Sequence, residues 1–336
     1  MLDNARSVAA APRLIGNDRL GDMLCCVHVS ADGSRCYGAL REGNSQQASL
    51  RCTRCDARYA IIDHVPVMRT ADTDVSAALD DVVYSGKSRL ESLAGKDLYL
   101  SQSLGMIDYL NRMSAKGLVH GPSLEIGCGV GIFADRVPEY VGLDYSLAAL
   151  RADGFEGYSR VCASGDVLPF QNAAFKTIFS LNTLEHVPEL DQCFEEMHRV
   201  LMPGGTLVLK PAWNCMQYNC DGVDYFPFAT LSFRNKAIKA LLPVLRAKPY
   251  KAVTRIPWRV FRLVTAAHSR HLRWRRLRPR FDLLFKVADA EAFSQIDTYE
   301  CIRWFMAKGY NCVSHPTVGK RLCAGHDFVC LIKPHE

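Results

Sequence analysis

Residues 124–131 read Leu-Glu-Ile-Gly-Cys-Gly-Val-Gly, a short apolar run that enters a turn containing three glycines. Glycine adopts positive φ without a steric penalty and lets a ligand approach the backbone closely. In a doubly wound sheet, such a turn lies at the carboxyl end of a central strand, where ligands bind. The stretch therefore predicts an α/β fold with a small-molecule site beside the turn.

Apolar runs and helical segments alternate along the chain on the carboxyl side of this turn. The runs begin at Ser123, Tyr140, Arg160, Phe175 and Thr206. The clearest helical segment spans residues 189–201, and we expect Pro203-Gly204-Gly205 to end it. Strands that alternate with helices imply βαβ crossovers. The predicted fold is a doubly wound, mainly parallel, seven-stranded sheet with helices on both faces.

Two carboxylates follow the strands that come next after the turn. Asp144 ends the run Val-Gly-Leu-Asp, and Asp166 lies in Gly-Asp-Val-Leu-Pro-Phe. An acid at the second strand end accepts hydrogen bonds from a ribose diol. Asp166 with the neighbouring backbone amide of Val167 is able to read the edge of an adenine. Either acid alone fits a helix cap or a loop equally well, but both at successive strand ends favour a nucleoside ligand.

Residues 84–210 contain five motifs, in the order LEIGCGVG, VGLD, GDVLPF, FSLNTLEHV and RVLMPGG. With these motifs the segment resembles the class I S-adenosylmethionine-dependent methyltransferases, whose core is Rossmann-like. Nicotinamide enzymes differ, because their fingerprint Gly-x-Gly-x-x-Gly places the third glycine one residue later. The resemblance implies S-adenosylmethionine as cofactor, with its ribose at Asp144 and its adenine at Asp166 and Val167. The cofactor-binding residues that we expect are Glu125, Gly127, Cys128, Gly129, Gly131, Asp144, Tyr145, Asp166, Val167 and Asn182.

The segment Asn182-Thr183-Leu184-Glu185-His186 supplies the catalytic candidates. His186 is the expected general base, needed where the acceptor loses a proton, and Glu185 would orient it. The alternative is that both residues open the following helix and pack against the cofactor. Tyr84 or Tyr99, upstream of the first strand, could fold over the cofactor as part of a lid, or could be an ordinary core or surface aromatic.

Cysteines near the amino terminus have the spacing of a metal site. Cys25-x-x-His28 and Cys52-x-x-Cys55 would each present two ligands to one ion, so we expect a structural zinc site of Cys25, His28, Cys52 and Cys55. Cys26 and Cys36 are substitutes, and a metal-free β module with buried thiols is the alternative. The second pair with residues 59–67 resembles the zinc-ribbon family that accompanies or activates methyltransferases. We expect no catalytic metal.

The segment after the fifth strand is strongly basic. No acidic residue occurs between Asp224 and Asp282, and arginines alternate with aromatic residues from 254 to 280. Such a helix suits a phosphate-bearing or lipid-bearing acceptor, or peripheral contact with an anionic membrane. It is also compatible with RNA, whose phosphates arginine neutralises and whose bases stack on aromatic rings. A solvated face of a basic protein is the plain alternative.

We expect four parts: a loose leader over 1–20, a zinc-ribbon-like module over 21–70, a helical linker or lid over 71–118, and a methyltransferase domain over 119–336 with an acceptor-binding insertion at about 211–296. The sequence has no run of about 20 apolar residues that could span a membrane and no secretory pattern at its start. The 14 cysteines are mostly single and lie in apolar surroundings, as free thiols do. A cytoplasmic location is expected.

The leading functional hypothesis is methyl transfer from S-adenosylmethionine to a small-molecule acceptor or a lipid- or glycan-linked one, with oxygen as the expected acceptor atom. An RNA base methyltransferase is the alternative. A non-catalytic scaffold that binds S-adenosylmethionine is a third hypothesis, although a scaffold would not need the glycine turn together with Asp144 and Asp166. Fold resemblance does not identify the acceptor.

Overall fold

The structure is a computed structural model that describes residues 18–43, 48–69, 96–151, 157–283, 287 and 289–335. For residues 96–100 and 248 it describes the backbone only. Most of the expected leader and most of the expected linker therefore lie outside the described residues. No helix in the described ranges has the length and apolar character to cross a membrane.

A seven-stranded sheet forms the centre of the protein. Its strands are β5 (Ser123–Ile126), β6 (Tyr140–Asp144), β7 (Ser159–Cys162), β8 (Phe175–Leu181), β9 (Leu201–Lys210), β12 (Asn311–Cys312) and β13 (Val329–Ile332). Across the sheet the order is β12-β13-β9-β8-β5-β6-β7. Strands β5 to β9 pair in parallel, and β13 is antiparallel to both neighbours. The predicted mainly parallel, seven-stranded α/β fold is confirmed.

Helices packed against this sheet are α2 (Lys96–Ala115), α3 (Leu147–Leu150), α4 (Leu190–Val200) and α8 (Thr298–Ala307), and a short helix, α9 (Val318–Leu322), contacts α8. Helix α4 is amphipathic, and its Phe194 ring stacks on Phe305 of α8 with 5.0 Å between ring centroids. It ends at Val200, one residue before the predicted end at residue 201. Residues 201–205 then belong to β9, which begins earlier than the predicted Thr206.

A small antiparallel sheet lies at the amino-terminal end of the chain. Its strands, preceded by α1 (Asp18–Met23), are β1 (Leu40–Glu42), β2 (Ser49–Cys52), β3 (Arg58–Ile62) and β4 (Val65–Pro66), in that order across the sheet. Val67 pairs with Cys162 of β7, and the Met68 amide donates to the Cys162 carbonyl at 2.7 Å. The Cys25 amide likewise donates to the carbonyl of Pro169 at 2.9 Å. The small sheet thus adjoins the outer edge of the large one.

The segment between β9 and α8 contains α5 (Gln217–Cys220), α6 (Phe233–Arg246), α7 (Lys248–Ala266), β10 (Arg275–Arg276) and β11 (Ser294–Gln295). Two arginines of α7 point inward: Arg259 pairs with Asp297, and Arg262 pairs with Glu300. Arg303 of α8 also pairs with Glu300. These buried ion pairs fix α7 against the helix that follows the insertion.

Candidate functional site

The glycine turn follows β5 directly and has the backbone that its sequence predicts. Gly127, Gly129 and Gly131 all have positive φ, at 76°, 53° and 72°. A Cβ on Gly127 would lie 2.1 Å from Oγ1 of Thr183, so only glycine fits there. The Gly127 amide donates to the Leu143 carbonyl at 2.7 Å, which ties the turn to the end of β6.

Asp144, at the end of β6, lies against this turn. Its carboxylate accepts a hydrogen bond from the Gly129 amide at 2.8 Å and another from the Ser146 amide at 2.9 Å. These two amides fix the carboxylate at the mouth of the turn. The ring of the neighbouring Tyr145 lies under the Arg69 guanidinium, 5.5 Å from its centroid.

Glu125 and Cys128 lie behind the turn, in the protein interior. The Tyr140 hydroxyl donates to Oε2 of Glu125 at 2.6 Å, and burial raises the pKa of the Glu125 carboxyl well above its usual value. The Cys128 thiol is close to the same tyrosine, because a Cβ on Gly142 would meet both groups at 2.9 Å. Both side chains therefore support the turn from the core side.

Asp166 and Val167 lie in the loop after β7. Asp166 is buried, its carboxylate accepts a hydrogen bond from the Ser164 hydroxyl, and burial raises its pKa. The Val167 amide donates to the Ser164 carbonyl at 3.2 Å. Arg35, from the amino-terminal module, donates to the Asp166 carbonyl at 3.1 Å and to Gln192 at 2.8 Å. Local sequence gave no sign of Arg35.

The segment after β8 places Asn182 and the two catalytic candidates at the same edge of the sheet. Asn182 has a φ of 50°, and its side-chain amide donates to Gln102 of α2. Glu185 is 1% exposed, and neither carboxylate oxygen has a hydrogen-bond partner among the described residues. His186 Nε2 lies 3.8 Å from Oε1 of Glu185, and the buried Nδ1 of His186 also lacks a partner there.

Asp289, which the sequence did not single out, joins this pair from the insertion. Glu185, His186 and Asp289 each bring a ligand-type atom within 4.8 Å of the others. Burial raises the pKa of the Glu185 carboxyl, the neighbouring His186 lowers it, and Asp289 raises it further. The arrangement can hold and move a proton, and its atoms also lie close enough together to ligate one cation.

A cavity of about 890 Å³ opens beside these residues and extends into the insertion. Gln102 and Asn182 line one end, and α6 and α7 supply much of the opposite wall. Asn182 is the cavity residue nearest in sequence to the expected methyl-donor site, because its neighbour Thr183 contacts the glycine turn. Tyr84 and the side chain of Tyr99, the two aromatic residues predicted for a lid, lie outside the part of the chain that the structure describes.

The cysteine cluster differs from the predicted ligand set. Sγ atoms of Cys26, Cys36, Cys52 and Cys55 all lie within 4.8 Å of one another. Cys25 and His28 are not among them, so the predicted set is corrected at these two positions. Cys25 forms a bridge with Ala39, and its thiol lies near Arg199. Because side chains of adjacent extended residues point to opposite sides, Cys26 enters the cluster and Cys25 does not.

The geometry of the four thiols fits a zinc ion. Sγ atoms of Cys26 and Cys55 are 3.5 Å apart, and those of Cys36 and Cys52 are 3.6 Å apart. Tetrahedral coordination with Zn–S bonds of about 2.3 Å places sulfur atoms about 3.8 Å apart. A Cβ on Gly38 would lie 2.7 Å from the Cys52 sulfur, so the backbone there closes on the cluster.

Backbone amides also favour a thiolate at Cys52. The amides of Arg54 and Cys55 donate to its sulfur at 3.3 and 3.5 Å. Burial raises the pKa of the Cys52 thiol, but these amides and the neighbouring thiols lower it more, to about 7. Burial instead raises the pKa of the Cys26 and Cys36 thiols, so Cys52 is the member whose thiolate is favoured. The four thiols have the donor set of a closed structural site.

Comparisons with known proteins agree with this geometry. Residues 124–209 match the family described as a methyltransferase domain. The sterol 4-C-methyltransferase of Caenorhabditis elegans is 26% identical over 117 residues, covering 31% of this chain and 34% of that protein. The demethylmenaquinone methyltransferase of Roseiflexus castenholzii is 34% identical over 97 residues, covering 26% and 41%.

Among solved structures, an S-adenosylmethionine-dependent methyltransferase from Mesorhizobium loti is 25% identical, with a TM-score of 0.27 over 33% of this chain and 52% of that one. The matched segments span less than half of the two curated relatives. The family match covers the glycine turn, Asp144, Asp166 and the Glu185–His186 pair. Residues 124–209 of this chain therefore form a methyltransferase domain with a Rossmann-like fold.

Proposed function

We propose that this protein transfers the methyl group of S-adenosylmethionine to a small-molecule or lipid-linked acceptor that binds in the cavity between the sheet edge and the insertion. The observation that carries the proposal is that Asn182 lines the cavity while its neighbour Thr183 packs on Gly127 of the glycine turn. A volume of about 890 Å³ lies within the usual range of small-molecule sites.

The cofactor supplies a sulfonium-activated methyl group, and the protein contributes position and exclusion of water. We assign the ribose to Asp144 and Tyr145, and the adenine to Asp166 and Val167. The backbone of Gly127, Gly129 and Gly131, with Asn182, would contact the methionine part. Glu125 and Cys128 support the turn from behind.

His186 is the candidate base for an acceptor hydroxyl. The acceptor proton would move to the imidazole as the methyl group is transferred to oxygen, and the Glu185 carboxylate would stabilise the imidazolium. The buried, unpartnered carboxylate of Glu185 supports this role, because such a group is costly to keep without a function.

An acceptor of lipid type is supported by two observations. Two relatives are named for a sterol and for demethylmenaquinone. In addition, α6 and α7 expose large apolar side chains, namely Phe233, Leu241, Val244, Tyr250, Val253, Trp258, Val260, Phe261 and Val264. An apolar face of this extent beside arginines suits the surface of an anionic membrane, from which a lipid-linked acceptor could enter the cavity.

Calorimetry with S-adenosylmethionine and S-adenosylhomocysteine tests the cofactor half of the proposal. We expect micromolar binding of both, and a folded sample that binds neither would refute the proposed function. The acceptor half is tested by incubating the enzyme and radiolabelled cofactor with organic and aqueous fractions of a cell extract. Label in the organic fraction would support a lipid acceptor, whereas label recovered only in RNA would favour the RNA alternative.

A further inference from the structure

The wall of the cavity formed by the insertion carries many basic side chains. These are Lys210, Arg246, Lys251, Arg255, Arg259, Arg273, Arg275 and His326, against three acids, Asp289, Asp297 and Glu300. Charge of this sign and density in a concave surface attracts an anion. Some of these cations already pair with acids within the protein.

Several of the cations and two of the acids are used in structural contacts. Arg259 forms two hydrogen bonds with Asp297, at 3.0 and 2.6 Å. Glu300 lies between Arg262 and Arg303, and Arg246 pairs with Asp224. Arg273 lies over the Trp258 ring, 4.3 Å from its centroid. These contacts account for the residues that hold the insertion in place.

Among the cations of the cavity, Lys210, Lys251, Arg255, Arg273 and Arg275 form no ion pair within the part of the chain that the structure describes, and the first three act on His326. Burial lowers the pKa of Lys210, Lys251 and Arg255. Two arginines lower the pKa of Lys251 further. Nearby acids oppose the shift elsewhere: Glu185 and Asp327 raise the pKa of Lys210, and Asp297 raises that of Arg255. Lys210, Lys251 and Arg255 also lie close enough to His326 to lower the pKa of its imidazole, after the larger effect of burial. Three cations and one acid, Asp327, therefore act on this histidine, and the three cations line the same cavity as the histidine.

Such a convergence costs free energy unless an anion compensates it. Lys251 and Arg255 lie one turn apart in the first half of α7, so helix periodicity brings these two together, whereas Lys210 joins them from the end of β9. Lys210 also adjoins the methyl-donor side, because its carbonyl accepts the Asn182 amide at 3.0 Å. Aromatic residues Trp213 and Tyr250 line the same cavity and suit the apolar body of an amphiphile.

We propose that Lys210, Lys251 and Arg255 form an anion subsite that binds a phosphate or diphosphate group of the methyl acceptor. The proposal rests on the proposed function and makes the acceptor class specific. Arg255 supplies a planar fork for two phosphate oxygens, and the lysines supply compact charges. The group that accepts the methyl would then lie on the Asn182 side of the phosphate.

Inorganic diphosphate is the probe, titrated into the zinc-loaded full-length protein with S-adenosylhomocysteine present. We expect saturable binding that weakens about tenfold in Lys251→Gln and in Arg255→Gln, the scale of one lost hydrogen bond to a charged group. Arg234→Gln is the matched control, since Arg234 is exposed on α6 and does not line the cavity. Melting temperatures identify any variant that fails to fold, and the Lys251 variant provides the safer comparison because Lys251 is less buried than Arg255.

Cofactor binding separates the two proposals. Variants that keep S-adenosylhomocysteine affinity while losing diphosphate affinity support the subsite. A wild-type protein that binds the cofactor but not diphosphate, or that loses as much diphosphate affinity in Arg234→Gln as in Arg255→Gln, overturns the subsite and leaves the methyltransferase proposal intact. A protein that binds diphosphate but no cofactor overturns the proposed function instead.

Two further arms identify the source of the phosphate. If vesicles containing phosphatidic acid compete with diphosphate and phosphatidylcholine vesicles do not, the result supports a lipid phosphate. Competition by a soluble diphosphate ester alone supports a metabolite. If a ten-nucleotide RNA competes best and its affinity falls much more steeply with salt than that of diphosphate, the contact is with a polynucleotide and the proposed subsite is wrong.

Discussion

Replacing Asp144 by alanine tests the cofactor site at its most defined point. The carboxylate accepts the Gly129 and Ser146 amides at 2.8 and 2.9 Å, so its position is fixed before any ligand arrives. The substitution removes the proposed contacts to the ribose. A hydrogen bond to a charged group contributes about 1.5–3 kcal/mol, and each 1.4 kcal/mol is a factor of ten in Kd.

We therefore expect Asp144→Ala to weaken S-adenosylhomocysteine binding roughly 10- to 140-fold in calorimetry. Asp144→Asn keeps the shape and one carbonyl acceptor, and should fall between the wild type and the alanine variant. Circular dichroism melting would establish that both variants are folded. An affinity within threefold of the wild type in a folded Asp144→Ala protein would show that the assignment of the ribose is wrong.

Three further predictions concern stability. We expect one zinc per chain by atomic absorption, and Cys52→Ser should abolish it and lower the melting temperature. Cys25→Ser, outside the cluster, should keep the metal. Equal zinc in both variants would contradict the revised ligand set. Arg259→Met should reduce the free energy of unfolding, measured by urea denaturation, by about 3–5 kcal/mol, because it leaves Asp297 unpaired in a largely buried contact. Arg280→Met removes an exposed pair and should reduce it by less than about 1 kcal/mol. Burial and two nearby lysines lower the pKa of His198 to about 4, so the unfolded state binds the proton more tightly than the folded state. Stability should therefore fall as the pH drops from about 6.5 toward 4, and His198→Gln should flatten this decline. An unchanged pH profile of the melting temperature in this variant would exclude His198 as a contributor.

The central sheet and the glycine turn were predictable because their signals are local. Each strand from β5 to β8 is a short apolar run that ends where the chain must turn. At Gly127 and Gly129 the positive φ requires the residue type that the sequence contains. Asp144 follows from its position at the next strand end, and the structure places it against the turn as that position implies.

The members of the cysteine cluster were only half predictable, because spacing alone does not show on which side of the chain a thiol lies. Cys25-x-x-His28 has the same spacing as a knuckle, but Cys25 faces Arg199 and Cys26 faces the other thiols. The single Cys36 joins through the turn closed by Gly38, and that contact exists only in the folded module.

The cavity could not be predicted from sequence. Its lining residues extend from Gln102 to His326, and their meeting depends on how the insertion folds back over the sheet edge. Asp289 likewise lies close to Glu185 in the fold, although about a hundred residues separate the two in sequence. Local patterns identified the insertion as basic and aromatic, but they did not separate inward arginines such as Arg259 from outward ones.

The position of the amino-terminal module beside β7 has a consequence for solubility. Strand β7 is the last strand on its side of the large sheet, and the Val67–Cys162 bridge with the Met68 amide covers part of its open edge. An uncovered edge strand is a template on which another chain can pair. Removing residues 1–69 would therefore do more than delete a metal site, because it would leave a bare strand beside the nucleoside loops and favour self-association of the remaining domain.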